Sequence, residues 1–408
     1  LQNHLWRDPL PNTLIVVVAA RISDWTIKGE IPPGYFNPAG GFDRIVILSL
    51  VSDAPSDDVL AQLCGKAKVE YHSIPLLGLH GLIRTLFIPG MIRKYILGRF
   101  KPHLSHTENL AVRAYGDTFA GMVAAILGHH FDCISVASIH TTHSHNPRGT
   151  VTTIKQRLIA LLESLARTYT HATIDFLAPV YSPALGTIAK RYSNKVHLIH
   201  NAVAVQKQHI KTDYAEGRSL DLVTVGRLIT GKSVLPILHA VMQSKFTRLT
   251  IIGDGPAGPH LKSWIKDNEI ADRVEMIARK ENSDLVDGLR KFDAFVAYTE
   301  YREVPKTVIE AGLVGLPVIL NRQAGHTPAE YDAVPIVWAS GAPESYQDAF
   351  NKLHNDDQLR RQIGHETRQK FHAQFDPEHC HTQMFRLLTS RAYSINAKGI
   401  PPVIEQSE

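Results

Sequence analysis

Glu303-Val-Pro-Lys306-Thr-Val-Ile-Glu310-Ala-Gly-Leu-Val-Gly-Leu-Pro-Val-Ile-Leu320 reads as a polar loop, an amphipathic helix opened near Pro305, a Gly315 stop and a buried strand. Two carboxylates, Glu303 and Glu310, and the ammonium of Lys306 gather around the start of that helix. Backbone N–H groups at a helix start are unpaired and carry partial positive charge. Free donors, a cation and acids able to grip hydroxyls suit a sugar attached to a phosphate.

Outward from this unit, short β-branched runs alternate with longer helical patterns, the mark of parallel α/β sheets. Strands are expected near 14–20, 45–50, 68–74, 103–107, 132–139, 174–178 and 196–200, with helices over 80–99, 110–128, 152–170 and 182–192. In the second half strands fall near 220–226, 248–253, 273–277, 293–298, 316–320 and 335–338. Helices there cover 232–243, 258–268, 283–290, 305–314, 344–355 and 357–373. The polar, aperiodic segment Ala202 to Arg218 is the best linker, dividing the chain into domains 1–203 and 204–375. A last helix, 376–396, follows Phe375-Asp376-Pro377 and is able to cross back to the first domain; 397–408 reads as a loose tail. Two such sheets facing each other make a cleft at their strand C-terminal edges, where open α/β folds bind ligands.

Bulk composition narrows the class. The 408 residues exceed one ordinary core, and 44% hydrophobic with 20% charged residues excludes wholesale disorder. A formal charge of +5 without a long basic run speaks against nucleic acid as partner. The 22 histidines are scattered, with no HExxH, so no metal site is expected. Cys64, Cys133 and Cys380 lie far apart, which points to a reducing compartment, the cytoplasm, rather than a disulfide framework. The apolar run Leu14 to Ala20 is too short for a span and lacks a basic leader, so it reads as a buried strand.

Several strand ends carry chemistry. In Leu222-Val-Thr-Val-Gly226-Arg227-Leu228-Ile-Thr-Gly231-Lys232, two cations leave one strand together. Arg227 can hold a diphosphate through a bidentate fork and Lys232 as a point charge; a solvated basic loop is the plainer reading. Gly253-Asp254-Gly255 follows another strand and allows close backbone approach to a ligand, although most such sequences are only turns. Glu310, on the helix's polar side, can accept two hydrogen bonds from a ribose diol or simply complement the helix dipole. Asn321-Arg322 ends the strand after it. In the first half, His140 closes an apolar strand, and His106 and Glu108 end the one before. His143 and His145 alternate with neighbours that include no carboxylate, so metal is not favoured there. Lys28-Gly29-Glu30 sits on a long 21–43 loop of the kind that often has a function. The apolar stretch 76–101, with Arg84, Arg93, Lys94 and Arg99, reads either as a peripheral contact with an anionic membrane or as a core helix with snorkelling bases.

Taken jointly, these residues make the chain resemble the retaining glycosyltransferases of family 4, which have the GT-B fold of two facing Rossmann-like domains. Gly226-Arg227-Leu228 with Lys232, Gly253-Asp254-Gly255-Pro256, and Glu310-Ala311 with Gly315-Leu-Pro-Val318 carry the likeness over roughly 220–375; Pro102 to His106, Ile139-His140 and Asn201-Ala-Val203 match more loosely. The resemblance implies that Arg227 and Lys232 bind the donor diphosphate and that Glu310 holds the nucleotide ribose. It places His140 at the donor sugar, Arg279 and Lys280 beside the base, and Val304 to Thr307, with Lys306, over sugar and phosphate. By the family's spacing from Glu310, the first of its paired glutamates falls at Arg302, with Glu303 next to it. Either Glu303 reaches the sugar, or Arg302 selects a different sugar, or transfer is lost.

The expected activity is metal-independent transfer from a nucleoside-diphosphate sugar to a hydroxyl of a glycan, lipid-linked glycan or small molecule, with retention. Catalytic roles fall to His140, Arg227, Lys232 and Glu303. Donor binding falls to Gly226, Gly253, Asp254, Gly255, Arg279, Lys280, Arg302, Val304, Lys306, Thr307 and Glu310, and weaker acceptor-side roles to Lys28, Gly29, His106 and Glu108. No cofactor beyond the donor is expected, and the location is cytoplasmic or peripheral at the inner membrane face. A nucleotide-sugar epimerase or hydrolase, or a non-catalytic sugar-nucleotide binder, would use the same cleft.

Overall fold

The computed structural model describes residues 12–23, 32–76, 89–104, 109–140, 154–203, 205–214, 219–278, 282–323 and 327–390. Two parallel six-stranded sheets organise the chain. The first contains β1 (Asn12–Val18), β2 (Arg44–Ser49), β3 (Lys68–Ser73), β4 (Asn109–Tyr115), β5 (Ile134–Ile139) and β6 (Phe176–Pro179), in the order β3-β2-β1-β4-β5-β6. The second contains β7 (Leu220–Val225), β8 (Thr247–Ile252), β9 (Val274–Ile277), β10 (Ala294–Ala297), β11 (Val318–Asn321) and β12 (Val337–Ala339), in the order β12-β11-β10-β7-β8-β9. In each, the first strand lies beside the fourth. The strand order reverses at that point, and a crevice opens at the strand C-termini.

Helices cover both faces: α1 (Asp57–Cys64), α2 (Pro89–Arg99), α3 (Phe119–Phe131) and α4 (Ile154–Thr173) in the first lobe, then α5 (Leu235–Gln243), α6 (Gly258–Asp267), α7 (Asn282–Leu289), α8 (Lys306–Val314), α9 (Pro343–His354) and α10 (Asp357–Phe375) in the second. Burial on both faces explains why the central strands read as unbroken apolar runs. On β1, Ile15 and Val17 pack with Val123 and Leu127 of α3, while Leu14 and Val16 face the opposite core. In the second sheet Leu222 and Val296 join Leu238 and Tyr346 on one side, and Val223 and Phe295 join Ile309 and Phe371 on the other. This is the GT-B architecture expected above.

A final helix, α11 (Pro377–Leu388), crosses back. Asp376 caps it by accepting from His379 N, and Pro377 fits its first turn. Met384, Leu387 and Leu388 then close the first lobe's core beside Leu14 and Val16, with Phe385 edge-on to Phe42. A polar latch also joins the lobes. Buried Glu330 accepts from Ser182 N and Oγ, each at 2.6 Å, and lies 3.2 Å from His200 Nε2. Burial alone would raise its pKa, but hydrogen bonds from His200 and Ser182 outweigh this and hold the carboxyl below its ordinary value.

Second-lobe elements lie close to their expected places; the first lobe differs more. The helix expected over 110–128 is instead β4 followed by α3, separated by Gly116-Asp117-Thr118. Leu110 to Tyr115 forms a central strand buried on both faces, so it lacks the alternation that marks a strand and merges with the helical run behind it. The strand expected over 103–107 is not formed at 103–104, and 105–108 lie outside the described residues. Residues 196–200 make one bridge, Leu177 to Val196, rather than a strand, and 182–192 folds as short 3-10 turns. Helix α1 has no counterpart among the expected elements; Ser56 accepting from Val59 N, Asp57 and Asp58 in the first turn and Gly65 after the end are its signals. In α2, Ile92 and Ile96 are buried in the lobe's core while Arg93, Lys94 and Arg99 are exposed, the arrangement of a core helix with basic residues outside. Among the described residues no helix is long and apolar enough to cross a membrane.

Candidate functional site

The cleft side of the second lobe is built from the ends of β7, β8 and β10 and the start of α8. After β7 the chain turns through Gly226-Arg227-Leu228, and after β8 through Gly253-Asp254-Gly255. These turns lie on each other. Gly226 N donates to Ile252 O, Leu228 N to Asp254 O and Ala257 N to Leu228 O. A Cβ on Gly253 would stand 2.0 Å from Gly226 O, and one on Gly255 2.3 Å from Leu228 O. The close backbone approach that these glycines allow is therefore made to the neighbouring turn. Gly253-Asp254-Gly255 acts as a support that fixes the Gly226 turn.

Arg227 is exposed, with no side-chain partner among the described residues, at the cleft end of β7. Lys232 does not begin a helix as expected. Helix α5 starts at Leu235, and Lys232 sits in the turn before it, its N–H on Ile229 O. Its ammonium pairs with Glu303 Oε1 at 2.5 Å and lies 5.7 Å from the Tyr301 ring centre. Tyr301 is held by its hydroxyl donating to Thr230 O, and its ring fills the space that a Gly231 side chain would need.

The loop after β10 points its two candidate side chains apart. Glu303 turns inward to Lys232, whereas Arg302 is exposed. Asn321 at the end of β11 accepts from Thr299 N at 2.8 Å and donates to Thr299 O at 2.9 Å, and Gln323 donates to Thr299 O and Tyr301 O. These two amides clamp the loop from behind and, with Glu303, Pro305, Tyr331 and Trp338, line a recess. Arg322 instead lies over Trp338, at 4.8 Å.

Helix α8 starts after Pro305, whose side chain offers no cap to the first N–H groups. Thr307 Oγ1 donates to Val225 O, tying the helix start to the end of β7, and the Val304 side chain is core. Glu310 is 1% exposed, not on a polar face as expected, because α8 is packed from Val308 to Val314. Its Oε1 lies 3.3 Å from Lys306 Nζ. In the first lobe, His140 stacks on Tyr115 with ring centres 5.5 Å apart, and its Nδ1 lies 3.3 Å from the Asn201 amide. Burial, reinforced by the Arg113 charge, lowers its pKa to about 3, so the ring is neutral near pH 7. Its Nε2 is enclosed and has no hydrogen-bond partner among the described residues.

The structure thus groups Lys232, Glu303, Lys306 and Glu310 at two ion pairs beside the Gly226 turn, with His140 held separately in the first lobe. Lys28, Gly29, His106, Glu108, Arg279 and Lys280 lie outside the described residues. Sequence reasoning missed Gln323, Tyr301, Tyr115 and Arg113; only Arg113 had a signal, a charge inside the apolar run Leu110 to Tyr115. Among the described residues no three His, Cys, Asp or Glu side chains gather as a metal site requires.

Residues 206–370 match the family described as Glycosyl transferases group 1. The amylovoran biosynthesis glycosyltransferase AmsK of Erwinia amylovora is 25% identical over 143 residues, covering 33% of this chain and 35% of that protein. The match therefore spans about a third of that relative's length. Among solved structures, Anabaena HepE in complex with UDP superposes with a TM-score of 0.66 at 15% identity, covering 93% of this chain and all of HepE. The lipopolysaccharide outer core galactosyltransferase WaaB gives 0.64 at 12% identity, covering 93% of this chain and 99% of WaaB. The family match lies within the second lobe, and both structural likenesses show the shared GT-B fold.

Proposed function

We propose that the protein transfers a glycosyl unit from a nucleoside-diphosphate sugar to an acceptor hydroxyl, with retention of anomeric configuration. One observation carries this: Lys232 and Glu303, from different strand ends, meet beside the start of α8 that follows Pro305. Lys232 would exchange its carboxylate partner for the donor diphosphate, with exposed Arg227 as the second cation. Charge grows on the leaving diphosphate as the glycosidic bond breaks, so fixed cations and helix N–H groups act most strongly in the transition state. The released Glu303 carboxylate is then placed for sugar hydroxyls, and Glu310 for the ribose.

Retention follows from attack on the face the diphosphate leaves, its oxygen taking the acceptor's proton. Neutral His140 holds no charge that would oppose an oxocarbenium-like sugar, and its enclosed Nε2 is free to hydrogen-bond a sugar hydroxyl. Orientation and charge stabilisation are then the protein's contribution. No metal is needed if the cations neutralise the diphosphate, so turnover should survive a chelator. HepE structures that hold UDP and UDP-glucose support a uridine donor. Incubation with UDP-sugars and an acceptor panel, followed by NMR, tests the reading. A product with the donor's anomeric configuration is expected; an isomerised or merely hydrolysed sugar with every acceptor would replace transfer by the epimerase or hydrolase alternative.

A further inference from the structure

The first lobe buries a guanidinium that the donor chemistry does not use. Arg113 lies near the end of β4, beside the β1–β4 crevice, and is 7% exposed. Its Nε donates to Ser138 Oγ at 3.0 Å, and its carbon centre lies 4.6 Å from the Tyr115 ring centre. No carboxylate pairs with it among the described residues. It instead lines a recess, open to solvent, with Tyr35, His200, Asn201, His381 and Met384.

The acids at the margins are already engaged: Glu330 by Ser182 and His200, and Asp376 as the cap of α11. His381 and His140 are both held below the ordinary histidine pKa, first by burial and then by the Arg113 charge. Arg113 is thus flanked in the recess by rings and amides, with the two carboxylates at the margins held by other donors. A buried, unpaired charge is costly, and its free guanidinium nitrogens form a fork matched to two oxygens of one anion. Asn201 links the recess to the reaction centre, because its amide also contacts His140.

We propose that the Arg113 recess is an oxyanion-binding subsite on the acceptor side of the cleft, taking a phosphate or carboxylate carried by the acceptor. The acceptor assignment rests on the transfer reading above; anion binding by the recess does not. Thermal unfolding tests it, with inorganic phosphate, methyl phosphate and glucuronate each compared with chloride at equal ionic strength. At least one should raise the wild-type midpoint by about 2 °C or more, the scale that ligand linkage gives a domain of this size. Arg113→Met should abolish that rise and Arg113→Lys, which keeps the charge but not the fork, should reduce it. Lys232→Ala should retain it. The phosphate and glucuronate arms tell which anion the recess takes. No specific rise in wild type, or a rise kept in both Arg113 variants and lost in Lys232→Ala, overturns the proposal. The donor reading is judged separately, by whether UDP stabilises wild type and Arg113→Met alike but not Lys232→Ala.

Discussion

The two lobes share one strand order but use their strand ends differently. In the second lobe the site is made of turns: Gly226 over Gly253, Leu228 over Gly255, and Thr307 tied to Val225. Side chains are added to a backbone that is already fixed. In the first lobe the corresponding edge is made of side chains from distant positions, with Arg113 and Tyr115 from β4, His140 after β5, Asn201 just before the linker and His381 from α11. Backbone geometry suits a ligand part that never varies, such as a diphosphate. A gathered set of side chains can change one member at a time, which suits an acceptor.

If this contrast is right, the largest effect on turnover belongs to the second lobe's cations. Lys232→Ala should lower turnover about 100- to 1,000-fold, the usual scale for one lost transition-state contact. Wild-type-like steady-state kinetics would remove Lys232 from the diphosphate. Next comes the turn support. Gly253→Ala forces a Cβ against the Gly226 carbonyl, at a φ of +148° that favours glycine. It should cost about 1–3 kcal/mol in urea unfolding. An unchanged midpoint would mean that the stacked turns yield freely.

The latch between the lobes should matter similarly or less. Glu330→Ala strands the Ser182 donors and should destabilise by about 1–3 kcal/mol, with Glu330→Gln milder because an acceptor oxygen remains. Equal effects of the two would assign the latch to charge alone. The smallest expected change near pH 7 concerns His140. Its folded pKa of about 3 lies below the ordinary 6.5, so between those values the unfolded chain binds the extra proton. Stability from this group is thus complete above pH 6.5 and declines as pH falls towards 3. His140→Phe should make the acid-side loss shallower. An identical pH profile would show that the imidazole is not sealed from protonation.

The same contrast explains what could be read early. Gly226-Arg227, Gly253-Asp254-Gly255 and Glu310 to Val318 are local motifs, each within one turn or one helix, and the second-lobe elements followed from them. β4 was hidden because a strand covered on both faces has no period-two pattern. Gln323 and Tyr301 act by gripping loop carbonyls, Gln323 those of residues about twenty positions away and Tyr301 that of one about seventy away, which no spacing announces.

By itself the sequence determined two parallel α/β halves, the glycine turns and which strand ends carry charge, because backbone sterics and apolar periodicity are local properties. Only the tertiary structure decided that Glu303 and not Arg302 turns to Lys232, that Glu310 is buried, and that Arg113 lines a recess with no paired carboxylate among the described residues. Those outcomes depend on which distant surfaces pack together, since burial and neighbouring charge are set by three-dimensional proximity.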